Sequence, residues 1–178
     1  MATLIARLAA ACERFGAGRL PRVGDHSIGA GYACAASALL ACLVFALAAA
    51  ALTGTLIDGL SIAVLAGPLV VPSAFLAGAL TWRFLSRRFE RTPRFGAVAG
   101  ALATGLTYCV AVLGFTVVLL VVAPPGVPGE PLPEYLAGTA GGAASIGFFG
   151  FVLTVPIALP IGTAGGYVYE RVRRERGS

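Results

Sequence analysis

This 178-residue sequence contains no lysine, one histidine and only eight acidic residues. The missing lysine is a matter of genome composition and excludes nothing. Where charge is absent says more: positions 27–57, 59–82, 95–129 and 135–169 carry no Asp, Glu, Lys, Arg or His. A proton relay or counter-ion inside these runs is therefore excluded, since such roles need an ionisable group at membrane depth. Catalysis needs a nucleophile with its base, a metal, or paired carboxylates. The one candidate is Asp25-His26 beside Arg22, whose simpler reading is a solvated helix start. Cys12, Cys34, Cys42 and Cys109 have neither metal nor redox spacing, and His26 is far from any Cys pair. No disulfide, metal or cofactor is expected, and the thiols within apolar runs act as small hydrophobes.

What the sequence does have is thirteen arginines in three clusters, Arg7 to Arg22, Arg83 to Arg94 and Arg171 to Arg176. Each uncharged run between or beside them exceeds the roughly 20 residues that cross about 30 Å of hydrocarbon as a helix. Four spans are expected, at about 27–53, 60–82, 94–123 and 135–169, preceded by a segment 1–26 and followed by an Arg-rich tail 170–178. With the clusters on one side, thirteen arginines oppose five acids there (+8) and three acids lie opposite (−3), matching the formal +5. Positively charged segments stay in the cytoplasm, so both termini are expected inside a cell membrane. Arg83, Arg87, Arg88, Arg91, Arg94, Arg171, Arg173 and Arg174 are expected to meet anionic lipid head groups. Nucleic acid is not an expected partner, because the soluble parts are too small for a recognition domain.

Local signals bound the spans. Met1 to Phe15 lacks the apolar run of a signal peptide. Leu4, Leu8, Ala11 and Phe15 recur at helical spacing opposite Arg7 and Arg14, predicting an amphipathic helix on the inner surface. Ser27 reads as the cap of span one, which ends near Thr53-Gly54 before a turn containing Asp58. Thr92-Pro93 reads as a cap with proline at the first helical position. The stretch from Pro124 to Pro133 holds five prolines and reads as a stiff outer loop. Span four is long enough to require tilt, a separate outer helix or a kink.

The only prolines within spans form two P-x-x-x-P pairs, Pro68 with Pro72 and Pro156 with Pro160. An offset of 88 superposes Pro72 on Pro160, Gly78 on Gly166 and Arg83 on Arg171, which suggests two parallel helical-hairpin repeats. Each proline frees the carbonyl four residues earlier, at Val64 and Val152 among others. Tyr108 reaches a similar depth, so its hydroxyl, with Thr104, Thr107 or Thr154, is expected to bond those carbonyls near the midplane. Steps of G-x-x-x-G at Gly96/Gly100, Gly138/Gly142 and Gly162/Gly166, and Ala74/Gly78, are expected to pack helices closely.

The Gly/Ala-rich hairpins flanking a short Arg-rich loop, Phe75-Leu-Ala-Gly-Ala-Leu80 through Arg94-Phe-Gly-Ala-Val-Ala-Gly100, are similar to those of uncharacterised small four-span prokaryotic membrane proteins. The resemblance implies that architecture and no activity. The sequence thus predicts an all-α, integral membrane four-helix bundle that is not an enzyme. Its expected role is packing, assembly or regulation with lipid, a second copy or another membrane protein as partner. The other reading is a small oligomeric channel or carrier for an uncharged or weakly polar solute.

Overall fold

A computed structural model describes residues 25–88, 92–122 and 131–177. These residues are all-helical, without strands: α1 His26–Thr53, α2 Leu56–Leu85, α3 Pro93–Val122 and α4 Leu132–Gly177. All four are long and apolar enough to cross a membrane. The amphipathic helix expected around Leu4 to Phe15, Arg91 and the prolines 124–128 lie outside the described residues.

The helix ends follow from local chemistry. Asp25, not Ser27, caps α1: its carboxylate accepts from the Ser27 backbone N–H at 3.3 Å and from the Ser27 hydroxyl at 3.1 Å. α1 closes at Gly54, whose φ of 74° suits a residue without Cβ and whose N–H returns to the Ala50 carbonyl. One further extended residue, Thr55, is enough to reverse the chain, so α2 begins at Leu56 and position 58 is already helical rather than in the turn. Thr92 Oγ1 accepts from the Phe95 N–H at 3.1 Å, starting α3 at Pro93. α4 begins at Leu132, placing Pro133 in its first turn, where a missing N–H costs nothing. It is one helix of 46 residues. At 1.5 Å per residue it measures about 69 Å, over twice the hydrocarbon thickness, so it extends beyond the membrane.

Each helix touches its neighbours in sequence, α1 also meets α4, and α1 and α3 touch across the diagonal. The buried apolar residues are mostly alanines, Ala30, Ala46, Ala50, Ala74, Ala77, Ala99, Ala103 and Ala143, with Trp82 and Phe95 at one end. Large apolar side chains such as Leu47, Leu113, Phe148 and Phe149 point outward. This reverses the soluble pattern, as expected where lipid is as apolar as leucine and close backbone contact holds helices together.

The tightest seam joins α3 to α4. A Cβ on Gly96 or Gly166 would strike the other's carbonyl, and one on Gly100 would strike the Gly162 carbonyl. Gly78 serves the same purpose between α2 and α1, where a Cβ would come within 2.6 Å of Cys34 Sγ. Among the described residues, nothing lies within 4 Å of a Cβ placed on Gly138 or Gly142, and only Ala143 is buried along the Leu132–Phe149 part of α4.

Candidate functional site

Two features stand out: a polar cluster at the arginine end and a cavity at mid-bundle. In the cluster, Glu170 on α4 is 2% exposed and Trp82 on α2 is 1% exposed. The Trp82 indole N–H donates to Glu170 Oε1 at 2.7 Å. The same oxygen lies 3.3 Å from His26 Nε2 on α1, an ion pair when the imidazole is protonated. Tyr169 stacks on the His26 ring with centroids 5.9 Å apart and donates to the His26 carbonyl at 2.9 Å. Arg173 donates to the Tyr169 oxygen at 3.1 Å. Trp82 in turn meets Phe95 and Tyr169 edge-on.

The stem of Glu170 lies against Gly96 in the first turn of α3, and its carboxylate lies beside His26, the first residue of α1. Glu170 is thus an interior group joining α1, α2 and α4, although the sequence places it at the head of the Arg-rich tail 170–178. The surface pair is Arg171 with Glu175, at 3.2 Å. Asp25 and His26 are likewise separated in role, one capping α1 and the other turned to Glu170. Arg83, Arg87, Arg88, Arg94, Arg171 and Arg174 are exposed around the cluster, and Arg173 is half-buried by its bond to Tyr169.

Beyond this cluster lies a cavity of about 630 Å³ bounded by all four helices. Its walls are apolar, with Phe45, Leu69, Val112 and Phe115 prominent, and among the described residues no charged side chain lines it. The polar exceptions are Ser37, Thr104, Thr107, Tyr108 and Thr154, with the thiols of Cys34 and Cys42. Two wall residues on α4, Ile146 and Leu153, are 59% and 66% exposed, so the cavity communicates with the bundle's outer surface along that helix.

The Tyr108 hydroxyl lies 2.5 Å from Thr154 Oγ1, and its ring meets Phe151 edge-on. Its partner is therefore a side chain on α4 and not the carbonyl of Val64 or Val152. Those two residues are 69% and 49% exposed. Pro68, Pro72, Pro156 and Pro160 are exposed as well, and none lines the cavity. A proline and the carbonyl it frees lie on one helical face, here the outward one, beyond the reach of an inward-pointing tyrosine. Pro160 instead borders a shallow depression of about 440 Å³ between α3 and α4. Thr104 and Thr107 donate to the Gly100 and Ala103 carbonyls of their own helix.

Neither a protein-family model, nor a curated protein, nor a solved structure matches this chain. The class defined by fold and site is a multi-pass helical membrane protein with an uncharged interior cavity.

Proposed function

We propose that this chain is a small, non-enzymatic multi-pass protein of the cell membrane that binds and carries an uncharged or weakly polar molecule in its central cavity. The observation that carries this reading is a cavity of about 630 Å³ touched by every helix, with no charged side chain among the described residues that line it. That volume suits a drug-sized ligand, for which pockets of roughly 300–1,000 Å³ are usual. An ionised solute would lose its hydration without a counter-charge, at a cost of several kcal/mol, and is rejected. Exposed Ile146 and Leu153 give the ligand a way in from the bilayer. The Trp82–Glu170–His26 cluster closes the arginine end.

The arginine end faces the cytoplasm in this reading, with Arg83, Arg87, Arg88, Arg94, Arg171 and Arg174 among anionic head groups. The bundle is two parallel hairpins: Gly78 rests on Ala30 and Cys34 of α1 as Gly166 rests on Gly96 and Gly100 of α3, and Trp82 and Glu170 obey the same offset of 88. An assembly role is a second reading, favoured by the Gly138, Gly141, Gly142 and Ser145 face of α4, which is exposed although G-x-x-x-G steps ordinarily meet another helix.

The test is photolabelling of protein reconstituted in liposomes with a long-chain hydrocarbon bearing a diazirine. Label on cavity residues, lost when Ala111→Trp fills the space, supports binding. Label confined to the outward leucines and phenylalanines refutes it. Co-purification of a stoichiometric membrane protein, lost on Gly142→Leu, would favour the assembly reading instead.

A further inference from the structure

The hydroxyl protons of Tyr108 and of the threonines beside it are already committed, and this determines what a ligand must bring to that end of the cavity. A hydroxyl has one proton to donate and two lone pairs to accept with. Thr154 donates its proton to the Gly150 carbonyl at 2.7 Å. The 2.5 Å contact with Tyr108 therefore has the tyrosine as donor and Thr154 Oγ1 as acceptor. Tyr108 is left presenting only lone pairs to the cavity it lines. Thr107 and Thr104 are in the same state, their protons held by the Ala103 and Gly100 carbonyls at 2.7 and 2.9 Å. Ser37 lines the far part of the cavity, against Gly165. That is eleven residues along α4 from Thr154, or about 16 Å.

We propose that the cavity selects a neutral, membrane-soluble alcohol: an apolar body with one hydroxyl that donates to the Tyr108 oxygen. At Tyr108 a ketone, quinone or ether of the same shape would place lone pairs against lone pairs in an apolar surrounding, where an unmade hydrogen bond is costly. A site built to accept from a hydroxyl rejects the analogue lacking it more strongly than it rejects a change in chain length. The aliphatic and aromatic wall formed by Phe45, Leu69, Phe115 and Ile146 takes the body of the molecule, and the opening beside Leu153 admits it from the lipid. This inference rests on the cavity-binding reading above and adds the identity of the polar group.

The experiment compares two probes in reconstituted liposomes, diazirine-bearing hexadecanol and its methyl ether, and maps the labelled residues by mass spectrometry. The alcohol should label cavity residues roughly three- to tenfold more than the ether, the span expected of one net hydrogen bond. Thr154→Val keeps the side chain's shape but removes the acceptor, releasing the Tyr108 proton to face the ligand, so the preference should fall to unity or invert in favour of the ether. Thr154→Ser should retain it. Circular dichroism and a single gel-filtration peak show that each variant is folded. Equal cavity labelling by both probes overturns the alcohol assignment while leaving cavity binding intact, and so does a preference that survives Thr154→Val. Absence of cavity label from either probe overturns both.

Discussion

Trp82 and Glu170 stand 88 positions apart in sequence and meet through a 2.7 Å bond from indole N–H to carboxylate, sealed from solvent at the arginine end of the bundle. In an interior built of alanine and glycine they are the two largest fully buried side chains among the described residues. The bond ties α2 to α4, and through His26 it extends to α1.

Removing the carboxylate should therefore cost more than its size suggests. Glu170→Ala leaves the Trp82 N–H buried without its acceptor, a penalty of about 1–3 kcal/mol. Glu170→Gln keeps an acceptor oxygen and should lose less. Thermal unfolding in detergent should rank wild type above Gln above Ala. The sequence contains a single tryptophan, so its fluorescence reports the site directly. Iodide should quench it poorly in wild type and readily in Glu170→Ala, and equal quenching would refute the buried bond.

The glycine seam makes a contrast of its own. Gly96→Ala and Gly166→Ala each drive a methyl into the opposing carbonyl, and overpacking of this kind costs about 1–3 kcal/mol. Gly142→Ala meets nothing within 4 Å and should be neutral, or stabilise by roughly 0.5–1 kcal/mol through backbone entropy. The same methyl on three G-x-x-x-G glycines thus gives opposite signs, readable from melting in detergent. Destabilisation by Gly142→Ala that depends on protein concentration would indicate that this face is covered by a second copy.

The spans were legible in the sequence because charge is excluded from hydrocarbon, and Thr92-Pro93 and Gly54 were legible because caps have local chemistry. The inward faces were not. These helices are apolar all round, so no polar stripe marks the outside, and what turns inward is small rather than hydrophobic. Gly138/Gly142 and Gly96/Gly100 read alike although only the second pair is packed. Glu170 was missed because an acid beside arginines reads as solvated. A signal for it existed: Gly162, Gly166 and Glu170 continue one face at four-residue steps, and so do Ala74, Gly78 and Trp82. The prolines misled in the other direction, since depth was readable but facing was not.

Tyr108→Phe should lower stability only slightly. Interhelical hydrogen bonds within membranes average about 0.6 kcal/mol. The ring's edge-on contact with Phe151 survives the change, and Thr154 keeps its bond to the Gly150 carbonyl. A loss beyond about 2 kcal/mol would mean that Tyr108 does more than bridge α3 to α4.

The proposed orientation rests on the arginines alone and can be tested without touching the interior. In a cysteine-free background, Thr55→Cys reports the end where α1 turns into α2, and Ser86→Cys reports the opposite end, immediately after α2. If the positive charge of Arg83, Arg87 and Arg88 keeps that end inside, a membrane-impermeant maleimide should label Thr55→Cys in intact cells and Ser86→Cys only after permeabilisation. The reverse pattern would put the Trp82–Glu170 cluster outside and leave the cavity closed toward the exterior instead. Equal labelling at both ends would mean that thirteen arginines do not fix one topology, and the cytoplasmic placement of both termini would fail with it.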